Sequence, residues 1–165
     1  MARVSAGLLM FRFKDDGLQV FLAHPGGPLF QNKNDGHWTI PKGEPPEHES
    51  LLEAAIREFR EETGIEPRGN YLELGSIRQK GGKLVHAWAF EGEHDDSKSI
   101  RSNTFEMQWP PGSGRSQNFP EIDQARFFSL PEAKRKLKDT QWPLVERLMA
   151  ILQRASGKRQ KCECF

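Results

Sequence analysis

One stretch constrains this chain more than any other: Gly43 to Ile65, reading GEPPEHESLLEAAIREFREETGI. Leu52, Ala55, Ile56 and Phe59 recur at helical spacing. They predict an amphipathic helix that begins near Ser50 and stops at Gly64. Its apolar stripe leaves the other side for charge. Glu58, Glu61 and Glu62 fall there within five residues, and residues three and four apart share a helix face. Like charges so placed repel, and a hard divalent cation taking oxygen ligands is their natural partner. Glu53 with Arg57, and Arg57 with Glu61, are i, i+4 pairs, so Arg57 offsets part of the repulsion. Glu49 lies at the helix start, where the dipole favours a carboxylate. Pro41-Lys42-Gly43 makes a tight turn ahead of the helix and exposes backbone carbonyls.

The remaining chain supplies a sheet for this helix. Ser5–Phe13 and Leu18–His24, either side of Lys14-Asp15-Asp16-Gly17, predict a hairpin. His37–Ile40 reads as a short strand stopped by Pro41. Tyr71–Gln79 and Leu84–Phe90 predict a second hairpin around Gly81-Gly82. Ala125–Phe128 returns to the sheet. Leu130–Leu137, with Pro131 near its start, predicts a short helix. Trp142–Ala155 predicts a longer one, with Val145, Leu148, Met149 and Leu152 on one face. Glu93–Pro120 is rich in Ser, Asn, Gly and Pro, lacks sustained periodicity, and reads as a long loop. The pattern is α+β, with a mixed sheet, one helix inserted early and others late. It forms a single domain over residues 1–165, with a flexible tail from about residue 157.

Composition narrows the function. A chain of 165 residues is long enough to bury its own core. Its formal net charge of +1 gives no global field for nucleic acid or membrane, so phosphate binding has to come from a local site. No run of about 18 apolar residues predicts a membrane span. The apolar N-terminal run is broken by Arg12 and Lys14 and reads as a strand, not a secretion signal. A bridge between Cys162 and Cys164 would be strained, so both read as free thiols in a reducing cytoplasm.

The full spacing sharpens the first stretch. It runs Gly, five residues, Glu, seven residues, then Arg-Glu-apolar-x-Glu-Glu-x-Gly-apolar. This resembles the signature of the Nudix (MutT-like) hydrolases, with Gly43, Glu49, Arg57, Glu58, Phe59, Glu61, Glu62, Gly64 and Ile65 at every fixed position. The resemblance implies an α/β/α sandwich with a mixed sheet, the signature forming a loop-helix-loop. It implies a hydrolase dependent on Mg²⁺ or Mn²⁺ that cleaves a nucleoside diphosphate linked to another moiety, water attacking phosphorus. Glu58, Glu61, Glu62 and the carbonyl of Lys42 are the implied metal ligands. Glu58 or a more distant glutamate is the base, and Arg57 and Glu49 support the site. Glu121, in Phe119-Pro120-Glu121-Ile122-Asp123, resembles the glutamate that completes such sites, with Asp123 as the alternative. Members reduced to binding modules usually lose signature glutamates, and all are present here. A homodimer is compatible with this reading.

Substrate choice lies outside the signature. His37-Trp38-Thr39-Ile40-Pro41-Lys42-Gly43 and Ser5-Ala6-Gly7 resemble hydrolases of diadenosine tetraphosphate. The tyrosine those enzymes place beyond the signature is absent, because Gly81, Gly82 and Lys83 stand there. The proline of ADP-ribose hydrolases is absent too. Arg101–Pro111 resembles a bacterial subgroup of predicted nucleoside triphosphate pyrophosphohydrolases. Nucleoside triphosphates and dinucleoside polyphosphates are therefore the expected small-molecule partners. Phe105 and Trp109 are candidates to stack on a base. Arg78, Lys80 and Lys83 are candidates to grip phosphates. Trp38 adjoins the site, and His86 reads as a core histidine.

Overall fold

The structure, a computed structural model, describes the backbone of residues 3–15 and 17–162 and the side chains as far as residue 157. In chain order the strands are β1 (Val4–Lys14), β2 (Gly17–Pro25), β3 (Lys42–Gly43), β4 (Leu72–Arg78), β5 (Leu84–Glu91), β6 (Thr104–Gln108), β7 (Ser116–Pro120) and β8 (Ile122–Ser129). The helices are α1 (Leu51–Thr63), α2 (Leu130–Lys136) and α3 (Trp142–Cys162), with a 3₁₀ turn at Asp139–Gln141.

β1 is central because its side chains are apolar on both faces. Leu9 and Phe11 are buried on one side, Leu8 and Met10 on the other. A strand covered on both faces reads as a continuous apolar run, as this one does. The sheet order is β4-β5-β1-β2-β8, and β1 with β5 is its parallel pair, so the sheet is mixed. Both expected hairpins and the returning strand are present. α1 covers one face, packing Ala54, Ala55 and Phe59 against Phe21, Phe90 and Phe127. α2 and α3 cover the other with Ala133, Leu144, Val145 and Leu148. The result is an α/β/α sandwich. Burying Phe59 completely is worth about 1.5–3 kcal/mol.

β1 changes neighbour along its length. It pairs with β2 at Phe11–Lys14 but with β3 at Ala6 and Gly7. This change admits the loop that leads into α1. The strand expected at His37–Ile40 is broken. Thr39 bridges Ala23, Trp38 bridges Leu137, and regular pairing resumes past Pro41, which has no N–H to give.

One other expectation is corrected. Within the expected loop Glu93–Pro120, β6 and β7 form a separate two-stranded sheet. The signal for it is short: Phe105 and Met107 alternate with polar residues in β6, but β7 has only Phe119 half-buried and both strands are otherwise exposed. α3 runs on to Cys162, and residues 163–165, with Cys164, lie outside those described. No described helix is long and apolar enough to cross a membrane.

Candidate active site

The site is assembled from the start of α1. The Ser50 hydroxyl accepts the Glu53 N–H at 3.2 Å, and the Glu53 carboxylate accepts the Ser50 N–H at 3.2 Å. This capping box occupies Glu53, so the expected pair of Glu53 with Arg57 does not form. Arg57 instead reaches back to Glu49, Nε to Oε2 and Nη2 to Oε1 at 2.9 Å each. Its Nη1 donates to Glu58 Oε1 at 3.0 Å and to Glu61 Oε2 at 3.1 Å. One planar guanidinium thus orders three carboxylates through charge-assisted bonds. Gly64, at φ +76°, ends the helix in the left-handed conformation, its N–H on the Arg60 carbonyl.

Glu62 turns inward. It is 9% exposed, and its carboxylate accepts the Lys42 N–H at 3.2 Å. Burial, reinforced by the charge of Glu58, pushes its pKa up to about 8. Burial also raises Glu58, with Glu61 and Glu121 adding to the effect and Arg57 opposing it. The Glu58 carboxylate lies directly over Gly43, where any Cβ would collide with it. That contact explains the glycine.

Glu121 arrives from the far end of the sequence. Its N–H donates to the Asn103 carbonyl and its carbonyl accepts the Gly26 N–H, both at 2.9 Å. It stands at the foot of the β6–β7 hairpin, near enough for its charge to act on both Glu58 and Glu62. The hairpin's other foot rests on α1, where the Arg101 N–H meets the Thr63 carbonyl at 3.0 Å and the Asn103 N–H meets the Glu61 carbonyl at 2.8 Å. Asp123 is engaged elsewhere, 2.7 Å from His24 Nδ1, while His24 Nε2 lies 2.5 Å from the Lys33 carbonyl.

Four acids are thereby gathered. Among the described residues Arg57 is the only cationic side chain within ion-pair distance of Glu58, Glu61, Glu62 or Glu121. Among the described residues no three acid, histidine or cysteine side chains already close into a ligand cage. Burial first, and neighbouring carboxylates second, raise Glu58 and Glu62, and the donors are all oxygen. Such a set fits a hard divalent cation.

The other expected residues scatter. Trp38 is corrected to the core, since the bridges at Trp38 and Thr39 turn its ring inward. It is 3% exposed, packs edge-on against Phe128, and donates its indole N–H to Asn34 Oδ1 at 2.9 Å. Arg78 is exposed and donates to the Gly82 carbonyl within the β4–β5 turn, and Lys80 is exposed on that turn. Lys83 pairs with Glu44 at 3.3 Å. Phe105 packs with Phe119 and over Gly27, and Trp109 is half-buried at the end of β6. His86 is not a core residue. It pairs with Glu73 across β4 and β5 at 2.9 Å. Half-buried Lys138, just past α2, was not singled out in the sequence, where nothing local distinguishes it.

Comparison with known proteins agrees with this geometry. The family model described as "NUDIX domain" matches residues 1–148. The NUDIX domain of Shewanella oneidensis NrtR, complexed with ADP ribose, shares the fold with a TM-score of 0.66 at 16% identity, over 92% of this chain and 89% of that one. A C. elegans Ap4A hydrolase binary complex gives 0.63 at 21% identity, over 92% and 98%. The asymmetrical bis(5'-nucleosyl)-tetraphosphatase of Mus musculus is 41% identical over 38% of this chain and 48% of its own length. The mRNA-decapping protein g5R of African swine fever virus is 71% identical over 26% of this chain and 17% of its own length. The chain therefore spans less than half the length of these curated relatives. With a family match that runs nearly end to end, and a signature whose arginine and glutamates are seen to share one site, this chain belongs to the Nudix family.

Proposed function

We propose that the protein is a divalent-metal-dependent pyrophosphohydrolase of small nucleotides, working in the cytoplasm. The bond cleaved is a phosphoanhydride in a nucleoside diphosphate linked to another moiety, with nucleoside triphosphates and dinucleoside polyphosphates as the leading substrates. The observation that carries this reading is the placement of Glu58 and Glu62 out of water beside Glu121 and a single guanidinium, burial raising both Glu58 and Glu62 and the charge of Glu121 adding to the effect. Acids held at that cost serve a cationic cofactor and a proton transfer.

Glu58, Glu61, Glu62 and the Lys42 carbonyl would hold the cation, with Glu121 beside them. Bound Mg²⁺ or Mn²⁺ supplies charge neutralisation and polarises the phosphoryl oxygens. The chain's own residues do the rest. Arg57 fixes Glu58 and Glu61 in register. Glu58 or Glu121 accepts the proton of the attacking water. The water oxygen forms a new bond to phosphorus, and the P–O bond to the leaving phosphate breaks. The Lys42 and Lys83 ammonium groups bind substrate phosphates, with Lys80 and Arg78 on the adjoining turn. Phe105 and Trp109 offer ring faces to a base.

The test is turnover of a nucleotide panel with Mg²⁺. Wild type is expected to release phosphate-bearing products and to place ¹⁸O from labelled water in one of them. Glu58→Gln and Glu62→Gln should each lose at least about 100-fold in kcat. A wild-type protein inert on every nucleotide, or Gln variants of full activity, would refute it.

A further inference from the structure

Three lysines meet beside the carboxylates although they are far apart in sequence. The charges of Lys83 and Lys138 both bear on Lys42, and that of Lys83 bears on Lys138. The backbone explains the meeting. The Lys138 N–H donates to the Trp38 carbonyl at 2.9 Å, which pins the residue after α2 to the strand leading into Lys42. The Leu84 N–H donates to the Arg3 carbonyl at 2.9 Å and brings the β4–β5 turn to the same rim. Gln141 locks the two sides together. Its Oε1 accepts the Ile40 N–H at 3.0 Å and its Nε2 donates to Gln79 Oε1 at 3.0 Å.

Lys138 opens onto a pocket of about 340 Å³ lined also by Phe30, Lys33, His37, Lys80 and Asp139. Three cationic side chains thus face one carboxylate there. Among the described residues Lys83 is paired with Glu44, while Lys138 has no acid within ion-pair distance. Lys138 is half-buried, and like-charged amines held partly out of water repel one another. An anion placed among them relieves both costs.

We infer that Lys138 and the pocket beside it hold the polyphosphate of the substrate at the end away from the carboxylates, so that the site selects substrates with three or more phosphates in a row. This rests on the proposed hydrolase reading for its substrate, but not for its test. The Lys42 N–H is bonded to Glu62, and the charges of Glu62, Lys83 and Lys138 all act on its ammonium, so it stands between the two groups. A chain of phosphates can then start at the acids and continue past Lys42 to Lys138. A diphosphate-linked substrate ends sooner.

Equilibrium binding of inorganic tripolyphosphate, measured by calorimetry in EDTA, decides the matter without turnover. Lys138→Met keeps the aliphatic stem and is expected to bind about tenfold more weakly than wild type, while Lys138→Arg stays close to wild type. Lys80→Gln, on an exposed turn, should show a smaller loss and cannot be attributed to misfolding. On a nucleotide panel, Lys138→Met should raise the KM for a dinucleoside tetraphosphate relative to that for ADP-ribose, with kcat retained. Wild-type affinity in Lys138→Met, or no tripolyphosphate binding by wild type, overturns the inference. A protein that binds tripolyphosphate through Lys138 but turns over nothing would sink the hydrolase reading and leave this one standing.

Discussion

A carboxylate placed like Glu62 has two ways to relieve its burial: it takes a proton or it takes a cation. Its pKa rises from an ordinary 4.5 to about 8 on folding. Between those values the folded chain keeps a proton that the unfolded chain has released. Metal-free stability should therefore fall as the pH rises from 5 to 8, by a few kcal/mol at most. Glu62→Gln removes the share of the dependence that Glu62 supplies. By calorimetry the metal-free variant is expected to melt above wild type at pH 8 and level with it at pH 5. A variant that melts below wild type at pH 8 would contradict this origin of the shift. The acids of α1 were legible in the sequence because their spacing is local. The burial of Trp38 was not, since it depends on which way two isolated bridges turn the chain.

Among the elements, α1 is the most fully specified by its own residues. Ser50, Glu53, the apolar stripe and Gly64 fix its start, face and end. The stop can be tested directly. Gly64→Ala pays for the left-handed conformation, about 1–2 kcal/mol, and its Cβ would also stand 2.9 Å from that of Arg101. Urea denaturation should show a loss of at least that size, and an unchanged midpoint would refute it. The hairpin β6–β7 is the opposite case. Its period of two is confined to the five residues of β6 and is absent from β7, and backbone bonds at its feet tie it to the rest of the fold. Those partners are Glu61, Thr63 and Gly26, distant in sequence, so the sequence read as loop where the fold has sheet. The same remoteness of partners turned Arg57 from Glu53 to Glu49.

For the molecule as a whole, a net charge of +1 conceals a local opposition. Acids gather at the end of α1 and at Glu121, and lysines gather from three separate elements on the adjoining rim. The sandwich itself was readable because β1 is apolar on both faces and the helices are periodic. The lysine cluster was not, because it exists only once the sheet has formed. A divalent cation should act on this whole arrangement. At pH 8, millimolar Mg²⁺ is expected to raise the melting temperature and EDTA to reverse it. At pH 5 the rise should be smaller, since protons then compete for Glu58 and Glu62. A rise of equal size at both values would contradict ligation by these acids. Finally, helix ends normally leave their last carbonyls to water, yet those of Glu61 and Thr63 are taken by Asn103 and Arg101. Deuterium can enter those two amides only when the segment lifts off the helix end. Their exchange rates therefore gauge how firmly the end of α1 is gripped, and a nucleotide that engages the hairpin should slow both amides together.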